Sequence, residues 1–125
     1  MVQAYHRAMT QTPTGDLLVV CLCAIWCKTC TEFRGTFDKL AQSQPWARFV
    51  WLDIDDDGAL VGEVEIENFP TLAVFRGATP LFYGVTMPQE GVVARTLTHL
   101  KGADRETIKV PDEIAGLPEA LSARL

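Results

Sequence analysis

An unbroken apolar run, Leu17-Leu18-Val19-Val20-Cys21-Leu22-Cys23-Ala24, lies between Gly15-Asp16 and Trp26-Cys27. It is rich in β-formers and shows no polar alternation. Such a run reads as a strand buried on both faces, the pattern of a parallel-sheet centre. After Cys27 the period changes. Cys30, Phe33, Phe37 and Leu40-Ala41 recur at three- and four-residue spacing, which predicts a helix ending before Pro45. The chain therefore passes from a core strand into a helix at Cys27-Lys28-Thr29-Cys30.

The remaining pattern extends this order. Residues 1–11 suit a short helix with Tyr5, Ala8 and Met9 on one face, broken by Thr12-Pro13-Thr14-Gly15. Arg48 to Ile54 is a second strand, closed by Asp55-Asp56-Asp57-Gly58, and Ala59 to Glu65 a short helix. Thr71 to Phe75 is a third strand. Gly77-Ala78-Thr79-Pro80 forms a turn, and Leu81 to Val85 returns as an antiparallel edge strand. Met87-Pro88 opens a helix with Val92, Val93, Leu97 and Leu100 inward, capped at Lys101-Gly102. A polar stretch from Ala103 leads to Pro111 and a weakly amphipathic helix carrying Ile114, Leu117, Leu121 and Leu125. The order β-α-β-α-β-β-α predicts a small α/β sheet with helices on both faces. We divide the chain into a domain over residues 1–102 and a helical C-terminal extension over 103–125, packed on the domain or against a partner.

At 125 residues, with 48% hydrophobic and 22% charged, the chain suits one ordinary globular core. Its formal charge of −5 supplies no electrostatic attraction to nucleic acid or anionic lipid. No stretch reaches the ~18 apolar residues of a spanning helix. The polar start lacks the pattern of a secretory signal, so the expected location is cytoplasmic.

All four cysteines fall between Cys21 and Cys30. A disulfide scaffold spreads its cysteines to close loops across a fold, so this clustering points to local chemistry. At the start of a helix, unpaired N–H groups and the positive dipole end favour a thiolate at Cys27. Lys28 adds a neighbouring cation. Two intervening residues put Cys30 one turn on, close enough to close a small disulfide. Cys27 would attack and Cys30 would then displace the mixed disulfide.

Trp26-Cys27-x-x-Cys30 at a strand-to-helix junction, together with Phe69-Pro70-Thr71 and Gly84, resembles the thioredoxin family over about residues 15–102. The resemblance implies a thioredoxin fold: a central mixed sheet flanked by helices. It implies thiol–disulfide exchange with protein clients through Cys27 and Cys30, with Trp26, Lys28 and Thr29 shaping the site. It also implies a cis Phe69–Pro70 bond facing the cysteines, with the backbone of Phe69 and Pro70 binding an extended client strand. Without a nucleotide or flavin motif, no cofactor is expected, and electrons pass to or from a reductase or oxidant partner. Monomer and dimer both remain open.

Four positions depart from the family. Its buried acid falls at Cys21 and the partner lysine at Trp51, so proton transfer from Cys30 must use water or another group. Lys28-Thr29 replaces the common Gly-Pro. The usual second tryptophan falls at Cys23, and the helix-kinking proline at Gly35. These changes favour a specialised protein with its own client.

Other readings of the same residues stand beside this one. Cys21 and Cys23 share a strand face and serve as small core residues, or supply a third thiol beneath Cys30. C-x-C-x3-C-x2-C also suggests a four-thiolate zinc or iron–sulfur site, although a regular strand holds thiols poorly for tetrahedral binding; no metal ligands are assigned. The Asp53–Asp57 cluster lacks EF-hand spacing and reads as a solvated turn. His6 and His99 are isolated surface residues. A thioredoxin-fold adaptor or chaperone with residual redox activity is the main functional alternative.

Overall fold

A computed structural model describes residues 17–56, 69–101 and 111–121. The helices expected over residues 1–11 and 59–65, together with His6, Asp57 and Leu125, lie outside the described residues. Strands β1 (Leu17–Cys23), β2 (Ala47–Asp53), β3 (Thr71–Arg76) and β4 (Thr79–Val85) form one sheet in the order β2-β1-β3-β4. β1 pairs in parallel with β2 and antiparallel with β3, and β3 pairs antiparallel with β4. The sheet is therefore mixed. Every residue of β1 is buried, as its lack of alternation requires.

Period-2 geometry splits β1 between two cores. Leu17, Val19, Cys21 and Cys23 face helix α1 (Lys28–Ser43) and helix α2 (Glu90–Lys101). α1 buries Cys30, Phe33, Phe37, Leu40 and Ala41, the residues its spacing singles out. α2 buries Val93, Leu97 and Leu100, whereas Val92 is only half-buried. Arg76 at the end of β3 donates to the carbonyls of Leu100 and Lys101, so the sheet satisfies the last turn of α2.

Leu18, Val20 and Leu22 face the opposite way, with Val50, Leu52, Ala73 and Phe75. The C-terminal extension packs here. It is not one helix but two short ones, α3 (Asp112–Ala115) and α4 (Leu117–Leu121), separated at Gly116. Ile114, Leu117 and Leu121 are fully buried against the sheet.

At the β3–β4 turn, Gly77 takes φ +59, a conformation that disfavours a Cβ. β4 begins two residues earlier than its apolar pattern suggests, because Thr79 and Pro80 already pair with Arg76 and Phe75. A proline is tolerated on such an edge strand, where a missing N–H need not break a ladder on the outer side. Among the described residues, no helix is long and apolar enough to cross a membrane.

Two stability changes follow. Leu117→Ala empties a fully buried site on the sheet and should lower unfolding free energy by about 2–5 kcal/mol in urea titration. Gly35 lies inside α1, and a Cβ there would meet nothing within 4 Å. Gly35→Ala should therefore stabilise the chain by about 0.5–1 kcal/mol, read as a raised melting temperature.

Candidate active site

β1 and β2 run in parallel, so the loops after them emerge at the same end of the sheet. The Ile54 N–H donates to the Cys23 carbonyl at 2.8 Å and holds the two exits together. Beyond Cys23 the chain makes one tight turn, in which the Cys27 N–H reaches the Ala24 carbonyl at 3.0 Å. Cys27 is the N-cap of α1, with extended backbone (φ −90, ψ 121) and no side-chain capping bond. Its carbonyl accepts from the Thr31 N–H at 3.1 Å and the Thr31 hydroxyl at 3.2 Å. A serine, threonine or aspartate would ordinarily spend its side chain on the helix start. Here the thiol of Cys27 is left half-buried and unbonded to another cysteine.

The neighbours of Cys27 lie outward. Ile25 and Trp26 are exposed, at 74% and 67%. Trp26 is nonetheless fixed from two sides. Its indole N–H donates to Asp55 Oδ2 at 3.0 Å, and its ring meets Phe69 edge-on at 5.6 Å between centroids. The Phe69–Pro70 bond is cis. The Pro70 carbonyl accepts from the Thr86 N–H at 3.0 Å, which ties this loop to the end of β4. The structure thus brings Trp26, Cys27 and Phe69-Pro70 to one end of the sheet. Lys28 is exposed on the first turn of α1, and Thr29 is half-buried.

Asp55 is a site residue that pattern reading missed. The aspartate cluster does form a turn, since Asp53 Oδ1 accepts from the N–H groups of Asp55 and Asp56 at 2.8 and 3.2 Å. That turn also aims Asp55 at Trp26. Only the parallel pairing of β1 and β2 brings the two loops together, so no local spacing announces it.

Beneath the site the remaining cysteines are arranged differently from a simple Cys27–Cys30 couple. Cys30 is 1% exposed and is disulfide-bonded to Cys23, with 5.7 Å between their Cα atoms. The Cys21 Sγ lies 3.7 Å from the Cys23 Sγ. Cys23 carries no proton in a disulfide, so Cys21 is the donor of this contact. Across the parallel ladder Cys21 is paired with Trp51, the two residues that stand where the family resemblance puts a buried acid and its partner lysine. The cation near this position comes instead from α1: the Arg34 guanidinium lies 4.7 Å from the Trp51 ring centroid. Burial pushes the Cys21 thiol well above the ordinary thiol range, and Arg34 offsets this only in part.

A depression of about 470 Å³ beside Cys30 is lined by Ala24, Thr31, Arg34, Trp51 and Asp53, among others. It has room for water next to an otherwise buried sulfur. Among the described residues, no group of three or more His, Cys, Asp or Glu side chains is arranged to hold a metal ion.

The Cys21 environment gives a pH-dependent stability of definite sign. The buried thiol stays protonated where the unfolded thiol ionises. Its contribution is therefore complete below the unfolded value of about 8.5 and is lost as pH rises above it. Urea titrations of the chain between pH 7 and pH 10 should show this decline, and Cys21→Ala should flatten it.

The model of the family described as Thioredoxin matches residues 2–96. A thioredoxin of Echinococcus granulosus is 29% identical over 79 residues, covering 62% of this chain and 74% of that protein. Thioredoxin-1 of Saccharomyces cerevisiae is 33% identical over 60 residues, covering 48% and 58%. Among solved structures, Fasciola hepatica thioredoxin superposes with a TM-score of 0.62 at 22% identity, over 69% of this chain and 82% of that one. The germline-specific thioredoxin Deadhead of Drosophila melanogaster superposes at 0.63 and 23% identity, over 77% and 90%. A parallel β1–β2 pair that delivers Trp26-Cys27-Lys28-Thr29-Cys30 to the end of a mixed sheet, matched along most of its length by this family, makes the chain a member of the thioredoxin family.

Proposed function

We propose that the chain is a thiol–disulfide oxidoreductase that exchanges disulfides with protein clients through Cys27 and Cys30. The observation that carries this reading is the position of Cys27. It alone of the four cysteines is not fully buried, and it carries a free thiol at the start of α1. In the cycle, the Cys27 thiolate attacks a client disulfide, and one client sulfur leaves as a thiol after taking up a proton. Cys30 then attacks Cys27 Sγ, releasing the second client thiol and closing Cys27–Cys30. A dithiol partner returns two electrons and two protons. This cycle uses Cys30 as a free thiol, so the Cys23–Cys30 bond is open in the working form.

Exposed apolar side chains at this end of the sheet support client docking. Trp26, Ile25, Val85 and Met87 are large, apolar and exposed. Val85 pairs with Thr71, directly after Pro70, so the apolar surface is continuous with the cis-proline loop. With Cys21 in place of the buried acid, the proton of Cys30 leaves through water in the adjoining depression.

The test is reduction of insulin disulfides with dithiothreitol as electron source. Cys27→Ser should abolish turnover. Cys30→Ser should keep a single attack and accumulate a mixed disulfide. If client binding persists in Cys27→Ser and the wild-type chain shows no turnover, the adaptor reading replaces this one.

A further inference from the structure

The cycle above leaves one covalent feature without a role: Cys30 is bonded to Cys23 while Cys27 is free. Cys23 is the last residue of β1 and is 1% exposed. Cys30 lies on the first turn of α1, directly above it in the same core. Cys27 is the N-cap of the same helix, three residues earlier. Cys30 is therefore the shared member of two pairings, one with the outer thiol of Cys27 and one with the inner thiol of Cys23.

We propose that Cys23 is a third redox thiol of this site, which takes Cys30 from Cys27 by internal disulfide exchange, so that the oxidised chain buries its disulfide and keeps Cys27 free. The step balances within the chain. The Cys23 thiolate attacks Cys30 Sγ, the Cys23–Cys30 bond forms, and the Cys27–Cys30 bond breaks. Cys27 leaves as a thiolate and takes up the proton that Cys23 gave up. No external oxidant or reductant is consumed. Exchange in the reverse direction returns the outer pair.

Two features of the inner core fit this role. The Cys21 S–H points its hydrogen bond at Cys23 Sγ across 3.7 Å, so the sulfur that must carry charge during exchange has a donor beside it. Burial keeps that donor protonated. The depression beside Cys30 leaves room for water next to the sulfur at which both bonds are exchanged. With the disulfide held inward, Cys27 is a single accessible nucleophile, able to form a mixed disulfide that Cys30 does not resolve until the Cys23–Cys30 bond opens. This inference rests on the oxidoreductase reading for its client chemistry, but not for the exchange itself.

The experiment uses the full chain in graded redox buffers, quenched with acid and alkylated. Trypsin cuts after Lys28 and Arg34, so Cys30 travels on its own short peptide, and fragmentation shows which cysteine it carries. Cys27→Ser places a good N-cap residue at an accessible position and should keep the fold. It should still lose two titratable thiols on oxidation, through Cys23–Cys30. Cys23→Ala should form Cys27–Cys30 alone, and in the oxidised wild type Cys27 should carry the alkyl group. A Cys27→Ser chain that keeps all its thiols where the wild type oxidises overturns the inference. Failure of the underlying reading looks different: the Cys23–Cys30 pair forms as expected, but insulin turnover by the wild type is absent.

Discussion

Everything in this structure depends on burying β1 from both sides. A strand whose seven residues are all inaccessible needs a partner on each edge and a layer on each face. β2 and β3 supply the edges. α1 and α2 supply one layer, and α3 and α4 contribute to the other. The cost of ordering the strand is offset only when both layers are present, because each alternate residue contributes apolar area to a different core. The C-terminal extension thus belongs to the same cooperative unit as the sheet it covers.

The active-site end is a consequence of that central strand. Because β1 and β2 are parallel and adjacent, their exits meet, and the carbonyl of Cys23 is bonded to the loop that carries Asp55. Asp55 then orients an indole that would otherwise be mobile on the surface, and the indole in turn rests on Phe69. The chain of contacts runs from β2 through Trp26 to the cis-proline loop, around the exposed side of Cys27. The chemistry is held by the ends of rigid strands and the start of a sixteen-residue helix.

Local features of the sequence anticipate most of this. The lack of alternation in Leu17–Cys23, the helical spacing of Cys30, Phe33 and Phe37, and the tail residues Ile114, Leu117 and Leu121 each report burial through a fixed period. The strand-to-helix position of Cys27-Lys28-Thr29-Cys30 is local as well. What spacing could not show depends on how elements meet. The Cys23–Cys30 bond requires the angle between the end of β1 and the start of α1. The Trp26–Asp55 contact requires two loops far apart in the chain. The cation near Trp51 comes from Arg34 on a helix that crosses the strand, and no residue next to Trp51 predicts it. Gly116 divides the tail into two helices, although the apolar spacing on either side of it is continuous.

The inner disulfide also couples oxidation to conformational stability. It joins residues only 7 apart in sequence, at the junction between the central strand and the active-site helix. By the chain-entropy relation, closing so short a loop removes about 2–3 kcal/mol of freedom from the unfolded chain. Thermodynamic linkage makes this reciprocal: the folded state favours the closed bond, and opening the bond loosens the fold. A reductant that reaches Cys30 therefore works against the packing of β1 on α1 as well as against a sulfur–sulfur bond. The hydrophobic core and the electron inventory of this small protein share one free-energy balance.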